Sequence, residues 1–168
     1  AIVKDFDTLR DQDCFVGITT VKPPGRPPPP VEQRFKNKHR GDKPIALADI
    51  DPNDFKARTV TRGDRFVYGL HYDATEAPVI HTPALKMVVA WGVAKVLLLY
   101  QWDQGAAFYG NRMDIAGIIV QLPPGYDPNS RGLRPLHLPP LYGELAKALP
   151  GIPQGSLLHY RALSPALQ

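Results

Sequence analysis

Six prolines stand within the nine residues KPPGRPPPP, positions 22–30, and nineteen within the whole chain of 168. Each proline fixes φ and removes a backbone donor, so this stretch cannot be a central strand or a helix interior and must run as polyproline II or an irregular exposed loop. With fourteen glycines added, the load of chain breakers excludes a helical bundle or coiled coil. Short strands joined by loops are expected instead. At 43% hydrophobic and 21% charged residues the length suits one globular domain over residues 1–168, with 22–44 as an exposed proline-rich and basic loop. The proline stretch reads as a stiff surface loop before it reads as a ligand for a proline-binding groove.

The net charge of +4 permits an anionic partner without demanding one. Residues 34–43, RFKNKHRGDK, concentrate Arg34, Lys36, Lys38, Arg40 and Lys43, with Phe35 as the one aromatic platform nearby. The segment is read as a solubilising loop first and a phosphate-facing patch second. A lone cysteine, Cys14, excludes an internal disulfide. With no initiator Met and no leader-like segment, Ala1 reads as the start of a fragment excised from a larger protein.

Local patterns predict the remaining elements. Residues 2–21 read as one or two short strands around a turn at Asp11–Asp13, the first reaching about Leu9. Residues 45–54 suggest a short apolar piece and an Asp-Pro-Asn-Asp turn. Residues 54–73 alternate as a hairpin, with arms FKARTV and RFVYGLHY turning at Arg62–Gly63–Asp64. A helix from about Pro83 would turn Leu85, Val88, Val89, Val93, Val96 and Leu97 to the core. Lys86 and Lys95 exclude a membrane span there. MDIAGIIVQL, 113–122, reads as a buried strand; LYGELAKAL, 141–149, as a short helix; and LLHYRAL near the end as a strand.

Several chemistries find no support. None of Ser130, Ser156 and Ser164 lies in a Gly-x-Ser-x-Gly elbow, and the glycine-rich dinucleotide and P-loop motifs are absent. His71, Asp73 and His81 lack metal-ligand spacing, so no metal is expected. Cys14 could be a nucleophile beside His71 or His81 with Asp73, but follows an acidic segment and reads first as a small core residue.

The C-terminal quarter places Glu144 ahead of Ala148-Leu149-Pro150-Gly151-Ile152-Pro153, with Tyr160-Arg161 beyond. This run resembles the catalytic end of the cholera and heat-labile-enterotoxin group of ADP-ribosyltransferase toxins. The resemblance implies an α+β domain with small, mainly antiparallel sheets around an NAD cleft. It implies NAD as substrate, with Glu144 stabilising an oxocarbenium-like ribose and Thr82 as the central hydroxyl. Arg10 would hold the diphosphate, with Arg62 its rival, and His81 would stand beside Thr82 in His81-Thr82-Pro83. Tyr142 occupies the position where the group carries Glu or Gln, which opens transfer to acceptors other than arginine, or simple NAD glycohydrolysis.

The expected function is therefore that of a bacterial toxin or effector domain. It would be secreted within a larger protein, act in the target-cell cytosol on a macromolecule, protein before nucleic acid, and have a possible immunity or carrier partner. Two rivals stand beside it. One is an RNA-directed nuclease using His71, His81 or His159 with the basic segment; the other is a non-enzymatic β-rich binding or coat domain.

Overall fold

The computed structural model describes residues 1–37, 55–101 and 103–167. Lys38, Arg40, Lys43 and the 45–54 segment lie outside the described residues. The chain begins with helix α1, Ile2–Asp11, where a strand was expected. Ile2, Phe6 and Leu9 recur at helical spacing, and the last two are fully buried. Asp5 in the first turn and Arg10 in the last complement the helix dipole.

Strand β1, Phe15–Thr19, follows as expected and pairs antiparallel with β5, Tyr142–Leu145. The register shifts between Val16 and Thr19 around Gly17, whose φ of +59° makes the irregularity cheap for glycine. On its other side β5 pairs antiparallel with β4, Ile119–Gln121, so the sheet order is β1-β5-β4. Only three residues of the expected 113–122 strand are extended in pairing. The apolar core of that segment holds nonetheless: Ile118, Val120 and Leu122 are buried. The expected helix over 141–149 is instead the central strand and its exit, because Pro139 and Pro140 precede it and both neighbours claim its backbone.

A second sheet is a two-stranded ribbon of β2, Val31–Asn37, and β3, Phe55–Thr61. The first arm of the expected 54–73 hairpin is thus a strand, but it pairs backward in sequence rather than with 65–72. Arg62–Gly63–Asp64 does not turn a hairpin; Gly63–Arg65 forms a 3-10 turn. The second arm carries only an isolated bridge, Tyr68 to Tyr72.

A two-stranded ribbon is marginal alone and needs support. One support is α1: the Asp5 carboxylate accepts hydrogen bonds from Gln33 Nε2 at 3.2 Å and Thr59 Oγ1 at 2.5 Å. The other is supplied by prolines. Gln121 N–H donates to the Pro29 carbonyl at 3.0 Å and Thr61 N–H to Pro150 at 2.8 Å, while Arg62 N–H, donating to Pro30 at 3.1 Å, extends the ribbon's own ladder by one step. The proline stretch is therefore a seam between the two sheets. Its other candidate role, as a ligand for a proline-binding groove, meets a physical obstacle: Gly25 sits at φ +89°, outside polyproline II, and Pro29 is buried.

Where Pro150–Gly151 crosses Thr61–Gly63 the backbones touch. A Cβ on Gly151, at φ +93°, would overlap the Thr61 carbonyl oxygen, and one on Gly63 would overlap the Gly151 carbonyl oxygen. The chain then closes with helix α3, Gly155–Leu163, where a strand was expected. Gln154, Leu157 and Leu158 share a buried helical stripe, and Arg161 favours the last turn. The core joins Phe6, Leu9, Phe15, Val120, Leu145, Leu149 and Leu158. Tyr126 meets Phe6 and Phe15 edge-on, at ring-centre distances of 5.4 and 5.6 Å.

Helix α2, Thr82–Ala94, forms where expected, but its side chains do not reach that core. Leu85, Val88, Val89, Val93, Val96 and Leu97 are all exposed, and only Gly92 is buried. The helix ends in a Schellman arrangement: Leu97 N–H donates to the Gly92 carbonyl at 2.9 Å, and Val96 N–H donates to Val93 at 3.0 Å. Val96 therefore adopts φ +54°, a conformation that suits glycine and strains a β-branched residue.

Three stability outcomes follow from these local features. Val96→Gly raises stability by about 0.5–1 kcal/mol in urea denaturation, because relief of the left-handed strain exceeds the added unfolded-chain entropy. Gly151→Ala lowers stability by about 2 kcal/mol or more, and by more than Gly17→Ala, whose Cβ would meet open space. The third concerns His71, whose Nδ1 accepts the Val67 N–H at 2.8 Å. Burial, then the charge of Arg26, lowers its pKa below the ordinary 6.5. The unfolded chain thus binds more protons below about pH 6.5, so stability falls as pH drops through that value and levels off beneath the folded pKa. His71→Asn, which retains an acceptor, flattens denaturation midpoints measured between about pH 7 and pH 5.

Candidate functional site

The ribbon register decides which side chains share a face. Residues directly opposite across an antiparallel pair lie on one side of the sheet, and alternate residues along a strand do the same. Arg34 stands opposite Arg58 and Lys36 opposite Lys56. All four are exposed. They make a grid of cations on the face opposite the buried Val31, Ala57, Thr59 and Thr61. Like charges directly opposite each other destabilise a sheet, so this face is built against its own electrostatics. At one end Glu32 offsets the grid through Arg62, at 3.2 Å.

Half of this arrangement is visible in the sequence. Arg34 and Lys36 belong to the basic segment read as a solubilising loop; here they are strand residues. Lys56 and Arg58 were missed as site residues. Their signal was the matching spacing, Arg-x-Lys in one stretch and Lys-x-Arg in the other, which places both cations of each strand on a single face once the strands pair.

Along β2 an apolar cavity of about 520 Å³ opens on the other side. Ile2, Phe35, Pro124, Leu133 and Leu136 line it, with Glu32, Gln33 and Arg134 as its polar groups. Phe35 is 55% exposed, on the face of β2 opposite the Arg34 and Lys36 side chains. Arg134 donates to the Pro139 carbonyl at 2.6 Å, which fixes the loop that forms the far wall.

The six residues that the toxin resemblance singled out lie on α1, just after β3, at the start of α2 and on β5. Glu144 lies on the central strand β5, opposite Val16 and Ile119, and accepts the Gly117 N–H at 2.7 Å. Tyr142 is buried at the start of that strand. Arg10 is occupied structurally: it pairs with Asp7, donates to the Asp127 carbonyl at 2.7 Å and lies over the Tyr126 ring at 5.7 Å. Arg62 is chelated by Asp64, both bonds at 2.8 Å, which raises the arginine pKa and lowers the Asp64 pKa to about 2. Thr82 and His81 begin the exposed helix α2. No hydrogen bond or ion pair joins any two of the six among the described residues, and no described cavity holds more than one of them. Nothing among the described residues supports the expected NAD cleft.

The other candidates are also accounted for. Cys14 is fully buried, and desolvation pushes its thiol up to about 12, so it is a core residue and a poor nucleophile. His71 and His159 sit in different surroundings, the first against Phe66 and the second against Phe108 and 3.4 Å from Asn111. Among the described residues no group of three or more His, Cys, Asp or Glu could hold a metal ion. No described helix is long and apolar enough to cross a membrane.

Comparison with known proteins decides the family. The family model described as "Reverse transcriptase (RNA-dependent DNA polymerase)" matches residues 30–168, most of the chain. No curated protein and no solved structure matches. The match overturns the resemblance to ADP-ribosyltransferase toxins, and with it the reading of an NAD-cleaving toxin enzyme. Neither NAD glycohydrolysis, the nuclease-toxin reading nor the coat-domain reading agrees better with it. The match begins at the last proline of the seam and takes in the ribbon, the central strand and the closing helix; the chain belongs to the reverse transcriptase family.

Proposed function

We propose that this chain handles nucleic acid in RNA-dependent DNA synthesis, the activity for which its family is named, and that the outer face of the β2–β3 ribbon holds the phosphate backbone. The observation that carries the reading is the cation grid of Arg34, Lys36, Lys56 and Arg58. Two like-charged pairs placed directly opposite each other cost the free protein stability. A polyanion reverses the sign of that cost, because each phosphate neutralises a cation and releases condensed counterions. Arginine and lysine together suit such a surface, the first through forked hydrogen bonds and the second as a mobile point charge.

Nucleotidyl transfer at polymerases also employs paired divalent cations held by carboxylates and substrate phosphates. The described residues do not fit that group. Among them no three His, Cys, Asp or Glu side chains gather, and Glu144 accepts from the Gly117 N–H, Asp114 pairs with Arg161 at 3.5 Å and Asp64 with Arg62 in separate places. No chemical step is therefore assigned to them. The supported role is retention of the nucleic-acid strand.

Fluorescence anisotropy of single-stranded RNA against the chain, repeated over a series of salt concentrations, tests the reading. The logarithm of affinity falls linearly with the logarithm of salt, and Lys56→Ala with Arg58→Ala reduces the slope by about 0.7 for each phosphate that is no longer neutralised. An unchanged slope in the double variant rules out this face as the backbone site.

A further inference from the structure

We propose that the cavity beside Phe35 receives an unpaired nucleobase from a single strand whose phosphates lie on the cation grid. The inference rests on the nucleic-acid reading and adds a base-binding site to it. Phe35 follows Arg34 and precedes Lys36, so its side chain leaves β2 on the opposite face from both cations. Among the described residues β2 pairs only with β3 along this stretch, and none of them covers its outer edge with a further strand. A strand tracking the cations can turn one base over that edge.

The cavity suits the occupant. Its volume of about 520 Å³ lies within the range of small-ligand sites, and its walls are apolar with few polar groups. Phe35 offers a half-exposed ring for stacking in a cavity that Leu133 and Leu136 also line. A polar group answers the edge of a base: Arg134, whose Nη1 donates to the Pro139 carbonyl, has further guanidinium donors for a ring nitrogen or carbonyl. Gln33 Oε1 has no partner among the described residues, because the Gln33 amide nitrogen is directed to Asp5 and Thr59. An apolar small molecule would satisfy the cavity and ignore the cations; a phosphate alone would satisfy the cations and ignore the cavity. A nucleotide chain uses both.

The test uses a short single-stranded oligonucleotide carrying 2-aminopurine, with a duplex of the same sequence as control. Binding of the single strand quenches the probe, and Phe35→Ala abolishes the quenching and weakens affinity about tenfold, with the salt slope unchanged. Phe35→Trp restores both. Leu136→Trp, at an exposed position that fills the cavity without touching the core, also weakens the single strand and spares the duplex. Wild-type affinity and quenching in Phe35→Ala, or an equal loss on duplex and single strand, overturns the base site. The salt slope of the Lys56→Ala/Arg58→Ala variant separates the two failures. If it falls while Phe35→Ala behaves as wild type, only the cavity inference fails; if it too is unchanged, the backbone reading fails with it.

Discussion

Carbonyl oxygens presented by Pro29 and Pro150 hold the ribbon against the rest of the molecule, that of Pro30 closes the end of the ribbon on Arg62, and the geometry of the candidate site depends on them. A proline cannot donate to a sheet, so a run of prolines normally ends pairing. Here the acceptor half of each residue is used. The stiff backbone delivers its carbonyls to Gln121, Arg62 and Thr61 at low conformational cost, since φ is already fixed before folding. Without that seam β2 and β3 would be an isolated two-stranded sheet of marginal stability.

The two faces of the ribbon divide the electrostatic work. Inside, Asp5 gathers the Gln33 amide and the Thr59 hydroxyl, both donors, so a partly buried carboxylate is satisfied without a cation. Outside, the cations face solvent and one another. Because the pairing is in continuous register from Val31–Thr61 to Asn37–Phe55, a slip of one residue would move Arg34 and Lys36 to the inner face and Gln33 to the outer. The buried acid network therefore also fixes where the positive charge is displayed.

What could be read from the sequence follows the range of the interactions involved. Helix α2 and strands β1 and β3 were legible because their own composition specifies them. Helix α1 was not: IVKDFDTLRD alternates apolar and charged residues closely enough to imitate a strand, and Phe6 and Leu9 reveal a helix only through the core they enter. The pairing of β2 with β3 joins residues well apart in the chain, which local periodicity does not register. The toxin resemblance failed for an instructive reason. Its Ala148–Pro153 run is a real structural feature, yet Gly151 is required there for a close crossing over Thr61, a packing demand that carries no information about NAD. The NAD roles assigned around it went with the resemblance, while Lys56 and Arg58 passed unnoticed as hairpin arms.

Helix α2 presents Met87, Trp91 and Val93 to water on several sides, and the residues after it continue the trend through Leu98 and Tyr100. An apolar cylinder of this kind has no polar face with which to remain dispersed. In dilute solution its exposed area favours contact with any other apolar surface, including a neighbouring molecule's copy of the same helix. The colloidal behaviour of the free chain is thus set by a segment distant in sequence from the cation grid, and mutual charge repulsion from a net +4 is a weak counterweight near physiological ionic strength.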